Sequence, residues 1–188
     1  DESRPNLCAV NVAAVAGVAM LTASDGRRLH QATGPGWALP TMMIPSRAAG
    51  VIREFLAGPV KIGVDGNAPT LLVVQNVAGD TIVVRLADAV FPDVAAILKA
   101  KREHVATFGA AEMGAAVRRT CMLAEGETRT LALAFDGNQL AGGLVITSGE
   151  TDRAREVVAV AGRHPETVIR INAKMLSEAL AAAGEGAS

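Results

Sequence analysis

The sequence predicts an α+β fold made of repeated β-α-β-β-β units, with antiparallel sheets outside and helices gathered on one face. Three observations lead there. A strand that runs directly into a helix recurs at Met42-Met43-Ile44-Pro45-Ser46-Arg47, at Val105-Ala106-Thr107-Phe108-Gly109-Ala110 and at Val168-Ile169-Arg170-Ile171-Asn172-Ala173. Its anchors Ile44, Phe108 and Ile171 stand 64 (108 − 44) and 63 (171 − 108) positions apart, the mark of a structural repeat. Half of the 188 residues are hydrophobic, yet the aromatics are four Phe, one Trp and no Tyr, so the interior is built from Ala, Val, Leu, Ile and Met, whose β-branched members favour strands.

The elements follow in order. Three strands open the chain without a helix before them, at Leu7 to Ala13, Val18 to Thr22 and Arg28 to Thr33. After the first strand-helix pair come strands at Pro59 to Val64, Leu71 to Val77 and Thr81 to Leu86. After the second come Thr130 to Phe135, Leu144 to Ser148 and Val157 to Ala161. Turn sequences separate them: Asp65-Gly66-Asn67, Ala78-Gly79-Asp80 and Asp136-Gly137-Asn138 pair residues that tolerate left-handed backbone with short polar side chains. The third strand-helix pair ends near Ala183. The chain therefore holds a three-strand remnant, two whole units and an opening pair. A terminal strand and helix cannot bury an apolar stripe by themselves, so this pair is expected to complement the N-terminal remnant, within one chain or head to tail between chains.

Stepping residues by 100° separates the two sides of each helix. Ala48, Val51, Ile52, Phe55 and Leu56 form the apolar stripe of the first, with Arg47 and Arg53 opposite. Met113, Ala116, Val117 and Ala124 point inward in the second, flanked by Arg118 and Arg119. In the third, Met175, Leu176, Ala179 and Leu180 face in and Lys174 faces out. Glu54, Glu112 and Glu178 also point outward, as on any solvated face. Helices of stacked repeats can nevertheless line a common surface, where a few cations per repeat add up to a strip that follows phosphates.

The formal net charge is −1, so contact with nucleic acid needs basic residues concentrated locally. Cys8 and Cys121 form no Cys-x-x-Cys pair and read as small buried apolar residues in a reducing compartment. No apolar run approaches the roughly 18 residues of a membrane span, and no signal-peptide pattern opens the chain; a cytoplasmic location is expected. The chain starts at Asp1, where an initiator Met would be retained, so a longer native N-terminus is expected.

Catalytic signatures are missing from the pattern. His30, His104 and His164 are scattered among different units, without an i, i+4 pair or a nucleophile motif. Asp25 and Asp93 sit in turn contexts. Gly34-Pro35-Gly36 and Gly142-Gly143 lack the strand-to-helix setting of a phosphate-binding loop. No metal-ligand spacing occurs, and no cofactor is expected.

Two short motifs give the repeat a relative. Ala23-Ser24-Asp25-Gly26-Arg27-Arg28-Leu29 resembles the Ala-Thr-Asp-Gly-His-Arg-Leu segment of bacterial DNA sliding clamps, the beta subunits of DNA polymerase III. Phe91-Pro92-Asp93-Val94 is similar to the Phe-Pro-Asp-Tyr at the end of their middle domain. With the order and spacing of the repeat, the resemblance covers essentially the whole chain. It divides the chain into residues 1–92, like a clamp's middle domain without its first strand-helix pair; a connector, 93–102, containing the basic run Lys99-Ala100-Lys101-Arg102; and residues 103–188, like the last domain without its final strands.

The resemblance implies a DNA-clamp fold and a processivity factor, not an enzyme, that associates with duplex DNA irrespective of sequence and tethers DNA polymerase or repair proteins by short peptide motifs. A homo-oligomer is implied. Arg47, Arg53, Arg118, Arg119 and Lys174 would face the DNA. The partner-peptide pocket would take Ser24, Gly26, Arg27, Arg28, Leu29, Pro92 and Ile97. Departures are visible: Arg27 replaces the family's His, Val94 its Tyr and Ala96 a frequent Arg, and the last strands and the Met-Pro-Met-Arg-like tail are absent. The alternative reading is a truncated clamp paralogue that binds proteins without encircling DNA.

Overall fold

The computed structural model describes residues 4–36, 38–55, 58–101, 105–122, 129–137, 142–148, 154–163 and 165–185. Leu56, Arg102, His104, Ala124, Asn138 and His164 lie outside the described residues. The chain divides into two units, Asp1–Leu98 and Lys99–Ser188.

In the first unit, β1 (Ala9–Val15), β2 (Val18–Ser24), β3 (Leu29–Gly34) and β4 (Met42–Pro45) form an antiparallel sheet in the order β3-β2-β1-β4. A two-residue turn at Ala16-Gly17 joins β1 to β2. Both residues have positive φ, 50° and 79°, which matches the right-handed twist of the flanking strands. The helix α1 (Ser46–Phe55) follows β4 directly. Then β5 (Val60–Val64), β6 (Leu71–Asn76) and β7 (Thr81–Arg85) make a three-stranded sheet in chain order. Strand alternation decides what is buried: Leu72 and Val74 on β6 point inward while Leu71 and Val73 between and before them are exposed. Val12 and Met42 of one sheet and Leu72, Val74 and Val84 of the other share one core, against which Ala48, Ile52 and Phe55 of α1 pack. Val51, expected in that apolar stripe, is instead 54 % exposed. A five-residue helix, α2 (Ala95–Lys99), occupies the stretch expected to be a polar connector. The Asp93 carboxylate accepts the Ala95 N–H at its start.

The second unit carries β8 (Val105–Thr107), α3 (Ala110–Met122), β9 (Thr130–Asp136), β10 (Gly142–Ser148), β11 (Arg155–Arg163), β12 (Glu166–Asn172) and α4 (Ala173–Glu185). Its strands form one antiparallel sheet ordered β12-β9-β10-β11-β8. Leu131, Leu133, Leu144, Ile146, Val158 and Val160 project from one face into a core closed by Met113, Ala116 and Val117 of α3 and by Ala173 and Leu180 of α4. Each such side chain contributes about 1.5–3 kcal/mol by leaving water. Thr120 also faces inward, fully buried; its hydroxyl donates to the Ala116 carbonyl, which satisfies it locally. Ala179, expected to face in, is exposed.

The terminal strand and helix, expected to complement the N-terminal remnant, are instead part of the second unit's own sheet and core. β12 pairs with β9 over seven residues, from Glu166↔Asp136 to Asn172↔Thr130. The same relationship recurs in the first unit, where β4 pairs with β1. At β4 and β12 the opening strand thus completes the sheet of the repeat before it, whereas β8 pairs with β11 of its own repeat; β12 and α4 are seated without a second chain.

Candidate nucleic-acid interface

The anchoring of α3 and α4 on the sheet decides where their cations go. The inward stripes of both helices are pinned to the core, so Arg118 and Lys174 are exposed. Between the helices lies a cavity of about 470 Å³. It is lined by the buried Val117, the half-buried Cys121 and the exposed Met122, together with Arg118, Arg129, Lys174 and Glu178. Lys174 stands 4.0 Å from Glu178 one turn along α4, a solvated pair in which the lysine side chain is 82 % exposed. Cys121 and Cys8 are not joined in a disulfide and are only half-buried, less enclosed than the sequence suggests.

Arg129 was not visible as a candidate in the linear sequence. The register Asn172↔Thr130 places the residue before β9 opposite the residue that opens α4, and the Arg129 carbonyl accepts the Ala173 N–H at 3.0 Å. Strand pairing therefore brings Arg129 to the same groove as Arg118 and Lys174, though 44 positions (173 − 129) separate it from the start of α4.

Arg119 behaves differently from its neighbour. Its guanidinium donates to both carboxylate oxygens of Glu156 on β11, Nε to Oε1 at 2.8 Å and an Nη to Oε2 at 2.9 Å. The hydrogen bond and the charge of each partner hold the Glu156 carboxyl below, and the Arg119 guanidinium above, their ordinary ranges. In the first unit Arg47 and Arg53 are both exposed on α1.

Of the residues expected in a peptide pocket, five belong to one turn. Asp25, between β2 and β3, accepts the N–H groups of Arg27 and Arg28 at 2.9 and 2.8 Å and the Arg28 Nε at 2.9 Å. These donors bring its pKa from 3.8 to about 2. The Ser24 hydroxyl donates to the Arg28 carbonyl and accepts the Gly26 N–H. Gly26, at φ 83°, has Arg4 and Leu7 so close that a Cβ would press on both. Pro92 and the 64 % exposed Ile97 stand on the separate segment that follows β7. Asp25 is thus an acceptor that locks a turn, as is Asp65 toward Thr70 and Leu71.

Antiparallel sheets in which β4 and β12 each complete the strands of the preceding repeat, with helices packed against them, have the architecture of a DNA clamp. Solved chains that share it include beta subunits of bacterial DNA polymerase III. The Pseudomonas aeruginosa subunit matches 96 % of this chain with a TM-score of 0.82 at 19 % identity. The beta sliding clamp of C. crescentus matches 96 % with a TM-score of 0.80 at 23 % identity, and a Bartonella birtlesii sliding clamp bound to griselimycin matches 96 % with 0.79 at 20 %. The chain spans about half the length of these clamp chains, 50 % in each case. No protein-family model and no curated protein matches the sequence. This chain has the fold of the DNA polymerase III beta sliding clamp. Among the described residues no helix is long and apolar enough to cross a membrane.

Proposed function

We propose that this chain acts as a sliding-clamp-like processivity factor: a non-catalytic, cytoplasmic scaffold that holds duplex DNA by its phosphates and tethers DNA polymerase or repair proteins through short peptide motifs. The observation that carries the reading is the clamp fold over 96 % of the chain, combined with cations on the exposed sides of its helices. In this reading residues 1–92 and 103–188 correspond to a clamp's middle and last domains, and the chain works as a homo-oligomer. Arg47, Arg53, Arg118 and Lys174 meet phosphates directly. Arg119 belongs to the same surface, with its charge shared by Glu156. Contacts to phosphate carry no base information and exchange readily with counterions, which is what movement along DNA requires. The Ser24 to Leu29 turn, with Pro92 and Ile97, receives the partner peptide.

The test is fluorescence anisotropy on a short duplex across a salt series, with a clamp-motif peptide titrated in parallel. The expected result is sequence-independent binding whose affinity falls at least tenfold when Arg47, Arg53, Arg118 and Lys174 are changed together to Glu. The salt slope should become shallower by about 0.9 for each phosphate no longer neutralised. Peptide binding without DNA binding would replace this reading with that of a protein-interaction module. Binding of neither would overturn both.

A further inference from the structure

We propose that the groove between α3 and α4 is a seat for a single phosphate group, held by Arg118, Arg129 and Lys174, with Arg129 as its positioning cation. The inference rests on the reading of the helices as a phosphate-facing surface and adds to it a discrete site and a residue outside the helices.

Four observations converge. The groove encloses about 470 Å³, far more than the share of about 30 Å³ that one water takes in the liquid, so a hydrated phosphate fits. Among the described residues its lining has three cations against one carboxylate, Glu178, and that carboxylate already faces Lys174. Among the described residues Arg118 and Arg129 carry no ion pair, whereas Arg119, next in sequence to Arg118, is fully engaged by Glu156. Two guanidinia in one groove, neither of them in an ion pair, repel each other, and an anion between them lowers that cost.

The fourth observation concerns the backbone. Arg129 has φ 40°, a left-handed conformation that a residue with a Cβ adopts rarely and at a cost. Its carbonyl is tied to the Ala173 N–H, so the turn is held against the start of α4 and the side chain is delivered to the groove. A glycine would relieve this conformation and supply no charge. Two of the first-turn amides of α4 are already used, Ala173 by the Arg129 carbonyl and Met175 by the Asn172 side chain at 3.1 Å, so the seat is assigned to the side chains.

A phosphate here has two sources, the backbone of duplex DNA or free inorganic phosphate, and the experiment separates them. The full chain and the variants Arg129→Gly, Arg129→Lys and Arg155→Ala are compared by duplex anisotropy over a salt series and by amide chemical shifts during titration with inorganic phosphate. Arg129→Gly keeps the fold, because glycine suits φ 40°, and circular dichroism verifies it. Expected are a roughly three- to tenfold loss of duplex affinity at low salt, a salt slope lower by about 1, and loss of the phosphate-induced shifts around Arg129 and Ala173. Arg129→Lys should retain part of both. Arg155, on the sheet face away from the helices, serves as control and should leave both unchanged.

If Arg129→Gly abolishes the phosphate shifts but leaves duplex affinity intact, the seat stands and its ligand is free phosphate. If wild-type protein shows no phosphate shifts and Arg129→Gly binds duplex as tightly as wild type, the seat is overturned. In that case a continued loss of duplex binding in Arg118→Glu or Arg47→Glu keeps the clamp reading intact, so the two failures are distinct.

Discussion

Arg119 of α3 and Glu156 of β11 lock the helix to the sheet through two parallel hydrogen bonds, 2.8 and 2.9 Å long, across 37 positions of sequence. The adjacent Arg118 points to the groove instead. Two neighbouring arginines on one helix thus stand differently, one paired to the sheet and one lining the groove. Arg119→Ala is therefore expected to weaken duplex binding clearly less than Arg118→Ala, read from affinities at one low salt concentration. A double-mutant cycle with Glu156→Gln should show a small positive coupling in thermal stability, since the pair is solvent-accessible. Equal loss of DNA affinity in the two arginine variants would contradict this division.

Gly162 is the point where β11 accepts the short edge strand β8, opposite Ala106. Its φ of 120° lies outside the range of residues with a Cβ, and a Cβ there would strike the Val105 carbonyl oxygen. Gly162→Ala should cost about 2 kcal/mol or more and expose the β8 amides to hydrogen exchange before those of β10. Protection of Val105 to Thr107 equal to wild type would refute it.

Neighbouring residues of β10 test the sidedness of the sheet. Leu144 is fully buried under the helices, and Val145 points to the opposite face, beside Ala134 and Val157. Leu144→Ala should destabilise by about 2–5 kcal/mol, and Val145→Ala by no more than about 1 kcal/mol. Urea denaturation followed by circular dichroism measures both.

The Asp25 turn should be sensitive to acid. Its carboxyl titrates at about 2 in the folded chain against an ordinary 3.8, because the Arg27 and Arg28 amides and the Arg28 side chain donate to it. A lowered folded pKa means that the ionised form supports the turn; this support is complete above about 3.8 and disappears as the pH falls toward 2. The Arg27 and Arg28 amide resonances should shift in that window in wild type and stay still in Asp25→Asn. Exposure of the turn confines the effect to local order.

Much of the architecture is legible in the sequence because it is written in periodicities. The strand-to-helix junctions at Ser46, Ala110 and Ala173 fall where the repeat puts them, and alternation on β6 and β10 assigns faces. The short helix α2 escapes such reading, since five residues hold too little periodic signal. Val51 lies at the margin of its apolar stripe, and Ala179, though inside its stripe, is exposed because α4 docks through Ala173 and Leu180, which a helical wheel does not show. Arg129 escapes for another reason: it sits before a strand, where nothing local marks it.

The sequence by itself determined the repeat, the order of strands and helices, and the basic residues on the outward helix sides, because these depend on spacing within about ten residues. Tertiary structure alone decided that β12 completes the sheet of its own unit, that Arg119 is taken by Glu156, and that Arg129 joins Arg118 and Lys174 at one groove. These relationships follow from strand register and helix docking, which bring together residues that no local pattern connects.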